Sequence, residues 1–192
     1  MYGDMATVRA DATSLDRKRR RSQRAAPVAL LALVSALLLG GCALLPPGGE
    51  SGEATHERLD SLAGVADSRV RVANILSGFT RYWSTTVEIT VADDYAVGDA
   101  DAALDWLLHT AWSINNQEPN SGVLVGFVNP DGTTADWDWH GALTAAGYDA
   151  DWIGRGMDEG GILLFKSENV TGVLGDWPAA VPDLPAGVLV AD

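Results

Sequence analysis

Hydrophobic and polar residues alternate most regularly from Thr85 to Val91, where Val87, Ile89 and Val91 point one way and Thr86, Glu88 and Thr90 the other. A period of two predicts a strand with one buried and one wet face. Val70-Arg71-Val72 opens another alternating segment that runs towards Phe79. The period then lengthens. Leu104, Leu107, Leu108, Ala111 and Ile114 recur at helical spacing, behind Asp99 or Asp101 as acceptors for the first-turn amides. Val123 to Val128 is apolar on both faces, as a central strand should be, and Asn129-Pro130-Asp131-Gly132 reads as the turn that follows it. A second helix is expected over Asp136 to Ala146, ended by Gly147, and a closing strand over Ile162 to Lys166. Upstream, His56 to Ala63 suits a short helix with Leu59, Leu62 and Ala63 inward and Gly64 at its end.

The order helix, strand, strand, helix, strand, helix, strand predicts an α+β two-layer sandwich, with helices packed on one face of a mixed four-stranded sheet. It occupies residues 54–177 as a single domain. Residues 42–53 read as a flexible tether rich in Pro and Gly, and residues 178–192, with Pro178, Pro182 and Pro185, as a loose tail in which Gly187 to Val190 is a candidate edge strand. No internal repeat is visible.

A different pattern precedes the domain. Residues 17–24 are RKRRRSQR, six cations in eight positions, and residues 25–39 are AAPVALLALVSALLL, with no charge. That is the layout of an export signal. Leu39-Gly40-Gly41-Cys42 closes it, and Cys42 is the single cysteine of the chain. These residues resemble the lipobox of bacterial lipoproteins, an aliphatic residue, two small residues and a cysteine. The resemblance implies diacylglyceryl transfer to the Cys42 thiol, cleavage between Gly41 and Cys42, and a signal peptide over residues 1–41. Leader, lipobox, short linker and one α+β domain are also the architecture of many small actinobacterial lipoproteins, a likeness that carries no activity with it. The length of chain before the arginines suggests a start at Met5 or later. The alternative is a signal-anchor helix, since the apolar run extended to Leu45 reaches the roughly 20 residues that a membrane span needs. Glycine and proline from residues 40 to 49 argue against it.

Charge changes the picture further. Beyond residue 41 the chain holds six Lys and Arg against 23 Asp and Glu, a net charge near −17. From Tyr82 to Gly154 there is no cation and there are twelve acids. Nucleic acid is excluded as a partner, because its binding depends on Lys and Arg neutralising phosphates. Anionic lipid headgroups would repel such a body as well. With Cys42 lipidated no disulfide forms, so the fold stands on its core. The partners expected are the membrane, through the anchor at Cys42, and an envelope protein or small ligand; no cofactor is implied.

Candidate chemistry is sparse. Asp136, Asp138 and His140 lie within five residues, and on a helix Asp136 and His140 would share a face and could ligate a metal ion. A catalytic zinc needs three protein ligands and calcium six or more oxygens, so capping and surface pairing explain the segment as well. Asp105 and His109 have the same spacing and suit an ion pair. His56-Glu57-Arg58-Leu59-Asp60 echoes a zinc-protease motif with its second histidine replaced. Gly154 to Gly160 misses the dinucleotide-binding spacing and precedes a strand. Of seven tryptophans, Trp83, Trp106, Trp137 and Trp139 lie off apolar stripes or at element ends, which suggests an aromatic patch that engages a partner. Two functions remain open: a lipid-anchored extracytoplasmic binding domain without catalysis, and a cell-surface metal-dependent hydrolase.

Overall fold

In the computed structural model residues 48–192 are the described part of the chain; the readings on the leader, Gly41 and Cys42 lie outside the described residues. The first helix, α1 (Gly52–Asp60), starts four residues before the expected His56. Its start is local chemistry: the Ser51 hydroxyl accepts the Ala54 N–H at 3.2 Å, and Glu53 sits in the first turn, where the helix dipole favours an acid. The segment read as tether is therefore partly helix.

Strands β1 (Val65–Ser77) and β2 (Thr80–Val91) form a long antiparallel hairpin. Only Gly78 and Phe79 lie between the paired Ser77 and Thr80, and Gly78 takes the left-handed φ of +62° that so short a loop favours. The chain then passes through β3 (Tyr95–Val97) and α2 (Ala100–Ser113) to β4 (Gly122–Val128), which lies parallel to β2. Parallel neighbours need such a crossover. After β4 come α3 (Trp139–Ala145), α4 (Ala150–Ile153), a 3-10 turn (Gly154–Gly156) and α5 (Met157–Gly160). Strand β5 (Leu163–Lys166) pairs antiparallel with β4, then α6 (Ser167–Leu174) and β6 (Leu189–Ala191) follow. The sheet order β1-β2-β4-β5 is mixed and four-stranded, with helices packed against it, which is the expected α+β sandwich.

Register shows which face the helices cover. Ser68, Val70 and Val72 of β1 stand opposite Ile89, Val87 and Thr85 of β2, and Val87, Val123, Val125, Phe127, Leu163 and Phe165 are all fully buried. On the opposite face Arg69 reaches Glu88 across the ladder at 3.1 Å. Helix α2 is more than amphipathic, since nine of its 14 residues are buried, among them Trp106 and Trp112. Its cap is Asp99, whose carboxylate accepts the Ala102 N–H at 3.1 Å.

The proline-rich end is not loose. The Trp177 indole donates to the Ile114 carbonyl at 3.1 Å, the Ala179 amide donates to the Trp112 carbonyl at 3.1 Å, and Val188 is fully buried. Strand β6 pairs with β3 in a separate two-stranded sheet. Proline bars a long ladder, but a tryptophan, one buried valine and three strand residues are enough to seat the segment. Truncation after Gly175 removes that cover and is expected to cost at least ~2 kcal/mol of stability, about the value of burying one large apolar side chain. Chemical denaturation checks this, and an unchanged midpoint would show that the tail is dispensable.

Candidate functional site

The segment that holds Asp136, Asp138 and His140 folds differently from the sequence expectation. After the turn at Gly132 the chain runs back beside β4: Thr134 bridges Val128, and the Ala135 amide donates to the Phe127 carbonyl at 3.1 Å. This extended course buries Trp137 against Phe127, ring edge to face at 5.5 Å and 86°. The helix begins only at Trp139, with Asp138 as its cap, accepting the Gly141 N–H at 2.9 Å. Asp136 thus precedes the helix and does not share a face with His140. The His140 ring instead lies 3.9 Å from Asp151, both well exposed. Among the described residues no group of three or more His, Cys, Asp or Glu is gathered as metal ligands.

The other histidines are also explained by their neighbours. His56 Nε2 lies 3.6 Å from Asp60, and Ser68 of β1 donates to the same carboxylate at 2.7 Å, so the protease-like motif pins α1 to the sheet. His109 Nδ1 lies 3.3 Å from the Asp105 carboxylate.

The four tryptophans do not form one patch. Trp106 stacks on Phe127 with centroids 6.4 Å apart, so Trp106, Phe127 and Trp137 make a buried trio in the core. Trp139 is half-buried beside Gly154, where a Cβ would collide with its ring. Trp83 lies at the other end of β4, next to the residue that pairs with Gly122, and carries the Arg81 guanidinium 5.9 Å from its ring centroid. Trp106 is buried although it lies off the apolar stripe, because α2 buries more than one face. The ring nitrogens of Trp106 and Trp137 are buried without a hydrogen-bond partner, which fits a packing role.

A small cleft of about 220 Å³ opens where α2 meets α3 and the end of α6, lined by Asp101, Leu104, Asp105, Leu108, Tyr148 and Val173 among others. It is smaller than the ~300–1,000 Å³ of most small-molecule sites. The Tyr148 hydroxyl is buried there without a partner, and burial first, then the Asp105 charge, raises its pKa above 10.0. Asp101 and Asp105, which line the same cleft as Leu104 and Leu108, would attract a small cationic group on an apolar stem. A groove of about 480 Å³ lies where Leu124 and Leu164 of the sheet meet Trp152, Arg155 and Ile162. Among the described residues no helix is long and apolar enough to cross a membrane.

Set against protein-family models, curated proteins and solved structures, the chain matches none.

Two measurements test these assignments. Trp106→Ala should destabilise the fold by ~3–5 kcal/mol, as large-to-small changes of buried aromatics do, while Trp83→Ala costs far less; equal losses in denaturation would contradict the division into core and surface. In the turn, the Asp131 carboxylate accepts from the Thr133 hydroxyl at 2.6 Å and its amide at 2.9 Å, which lowers its pKa below 3.8. The turn contact is therefore present above the unfolded value and lost as pH falls through the lowered one. NMR titration should show Thr133→Val moving the Asp131 midpoint upward, because the larger of the two bonds has gone.

Proposed function

We propose that this chain is an extracytoplasmic lipoprotein, held by acyl chains on Cys42 at the outer face of the cytoplasmic membrane, and that its acidic α+β domain serves binding. The observation that carries the reading is the order of parts in the leader: cations, then an uncharged apolar run, then Leu39-Gly40-Gly41-Cys42. Each buried methylene contributes about 0.8 kcal/mol, so two or more acyl chains on one residue hold a domain stably. Eight residues after that cysteine the chain is part of the fold. Glu50 already bridges Ile114, and its amide donates to the Ser113 carbonyl at 3.0 Å. The domain offers the Asp101, Asp105 and Tyr148 cleft to a small polar ligand and its acidic surface to an envelope protein. For the metal-dependent hydrolase, the relevant side chains have other work: Asp138 caps α3 and His140 faces Asp151.

Mass spectrometry of the mature amino-terminal peptide tests the anchor. The peptide should begin at Cys42 and carry diacylglyceryl mass, the protein should leave membranes only with detergent, and Cys42→Ser should abolish both. A bare thiol at position 42 in membrane-derived protein would overturn the reading.

A further inference from the structure

The far end of the β1 and β2 hairpin is built unlike the rest of the domain. Strand β4 begins to pair with β2 at Ser84, so residues 74–83 run on without a third strand, and the tip projects about 13 Å past the sheet at ~3.3 Å per residue. A ribbon exposed on both faces is expected to be polar. This one carries Ile75 at 73% exposure, Leu76 at 64%, Tyr82 at 44% and Phe79 fully exposed at the turn. Register puts Ile75 opposite Tyr82 on one face, and Leu76 on the other face with Trp83, so neither side is wet by design. Further along the same strand, Thr85 to Val91 alternates strictly.

Charge separates the hairpin from the body a second time. Ser68 to Val87 contains three arginines and no acid, in a region beyond residue 41 where acids outnumber cations 23 to six. Arg69 is paired with Glu88, whereas Arg71 and Arg81 have no ion pair among the described residues. Apolar and aromatic tip residues, with guanidinium groups behind them that have no acid partner among the described residues, complement a surface that is oily inside and anionic at its rim.

The fold also brings this tip and the entry of the chain to the same end of the domain. The loop after α2 touches both. Asn115 donates to the Gly48 carbonyl at 3.3 Å and Asn116 accepts from the Gly52 amide; four residues on, Asn120 accepts from the Trp83 amide at 2.7 Å and donates to the Arg81 carbonyl at 3.2 Å. Cys42 is six residues from Gly48, a reach of at most about 20 Å.

We infer that residues 74–83 form a second membrane contact, in which Phe79, Ile75, Leu76 and Tyr82 enter the interface of an anionic bilayer while Arg71 and Arg81 meet its headgroups. The contact rests on the anchoring at Cys42 for its geometry, but its residues and its test are separate. It differs from the expectation that anionic lipid repels the whole body.

The full-length product, purified from membranes and reconstituted, is compared by hydrogen exchange in vesicles of phosphatidylcholine with phosphatidylglycerol, in vesicles of phosphatidylcholine alone, and in detergent. Amides of residues 74–83 should exchange severalfold more slowly in the anionic vesicles only. Phe79→Ser, at a fully exposed turn that the fold does not need, should abolish the protection with no change in melting. Arg71→Gln and Arg81→Gln should each reduce the preference for anionic vesicles about fivefold, as expected for one basic residue near such a surface. Equal exchange in all three media, equal protection in both vesicles, or protection in detergent that grows with protein concentration, the sign of a second copy on the hairpin, would each overturn the inference. The mass of the amino-terminal peptide from the same preparation reports on Cys42 independently, so a bare thiol sinks the anchor while the exchange data still decide the hairpin.

Discussion

The structure depends on the burial of α2 from almost every side. Nine of its 14 residues are buried, and they include two tryptophans, so no single sheet face could cover them. Val87, Val123, Val125 and Phe127 supply one wall; Leu143 of α3, Val170 of α6 and Val188 near the carboxyl end belong to the same core. The last turn of a helix leaves carbonyls without partners, and a buried one needs them satisfied. Here the donors come from both ends of the domain: the Glu50 amide serves Ser113, the Ala179 amide serves Trp112 and the Trp177 indole serves Ile114. Closing the core and seating the two ends are therefore one event.

That constraint explains which parts of the fold were legible in the sequence. Wherever an element obeys a local rule, the pattern located it: the alternation ending at Val91, the Asp99 cap, the doubly apolar β4 and the turn closed by Gly132 all stand where periodicity and side-chain chemistry place them. The misplaced elements answer to distant partners. Helix α3 begins at Trp139 and not Asp136 because Trp137 is drawn against Phe127, and an extended chain from Thr134 is the way to deliver it. The tail packs because α2 has carbonyls and apolar surface to cover, which nothing within residues 178–192 announces.

Candidate chemistry failed for a related reason. Spacing within five residues placed Asp136, Asp138 and His140 together only on the assumption of one helix, and the helix starts too late. The Asp105 and Tyr148 cleft lay outside any motif, since it joins residues 43 positions apart through the packing of α2 on α3. Of the four tryptophans read as surface features, Trp106 and Trp137 are core. Four of the exposed large apolar residues, Ile75, Leu76, Phe79 and Tyr82, belong to the hairpin, and Ile75 and Leu76 fall in the alternating segment that runs towards Phe79 without standing out from it.

A covalent anchor fixes how far a domain strays from a membrane, but not which side it presents. For a body near −17 that is a physical problem, since an anionic surface pushes most of it away. Screening limits the push to about 8 Å at physiological salt, whereas the hairpin stands about 13 Å beyond the sheet. In the proposed contact, a tip that enters the interface would keep the sheet, though not the loop that bonds Trp83 and Arg81, beyond the range of strong repulsion. The same repulsion disfavours every orientation in which the acids of residues 82–154 face the lipid. In the membrane contact proposed above, attraction at Arg71 and Arg81 and repulsion elsewhere would act in one direction, and the acidic excess would be part of what orients the domain.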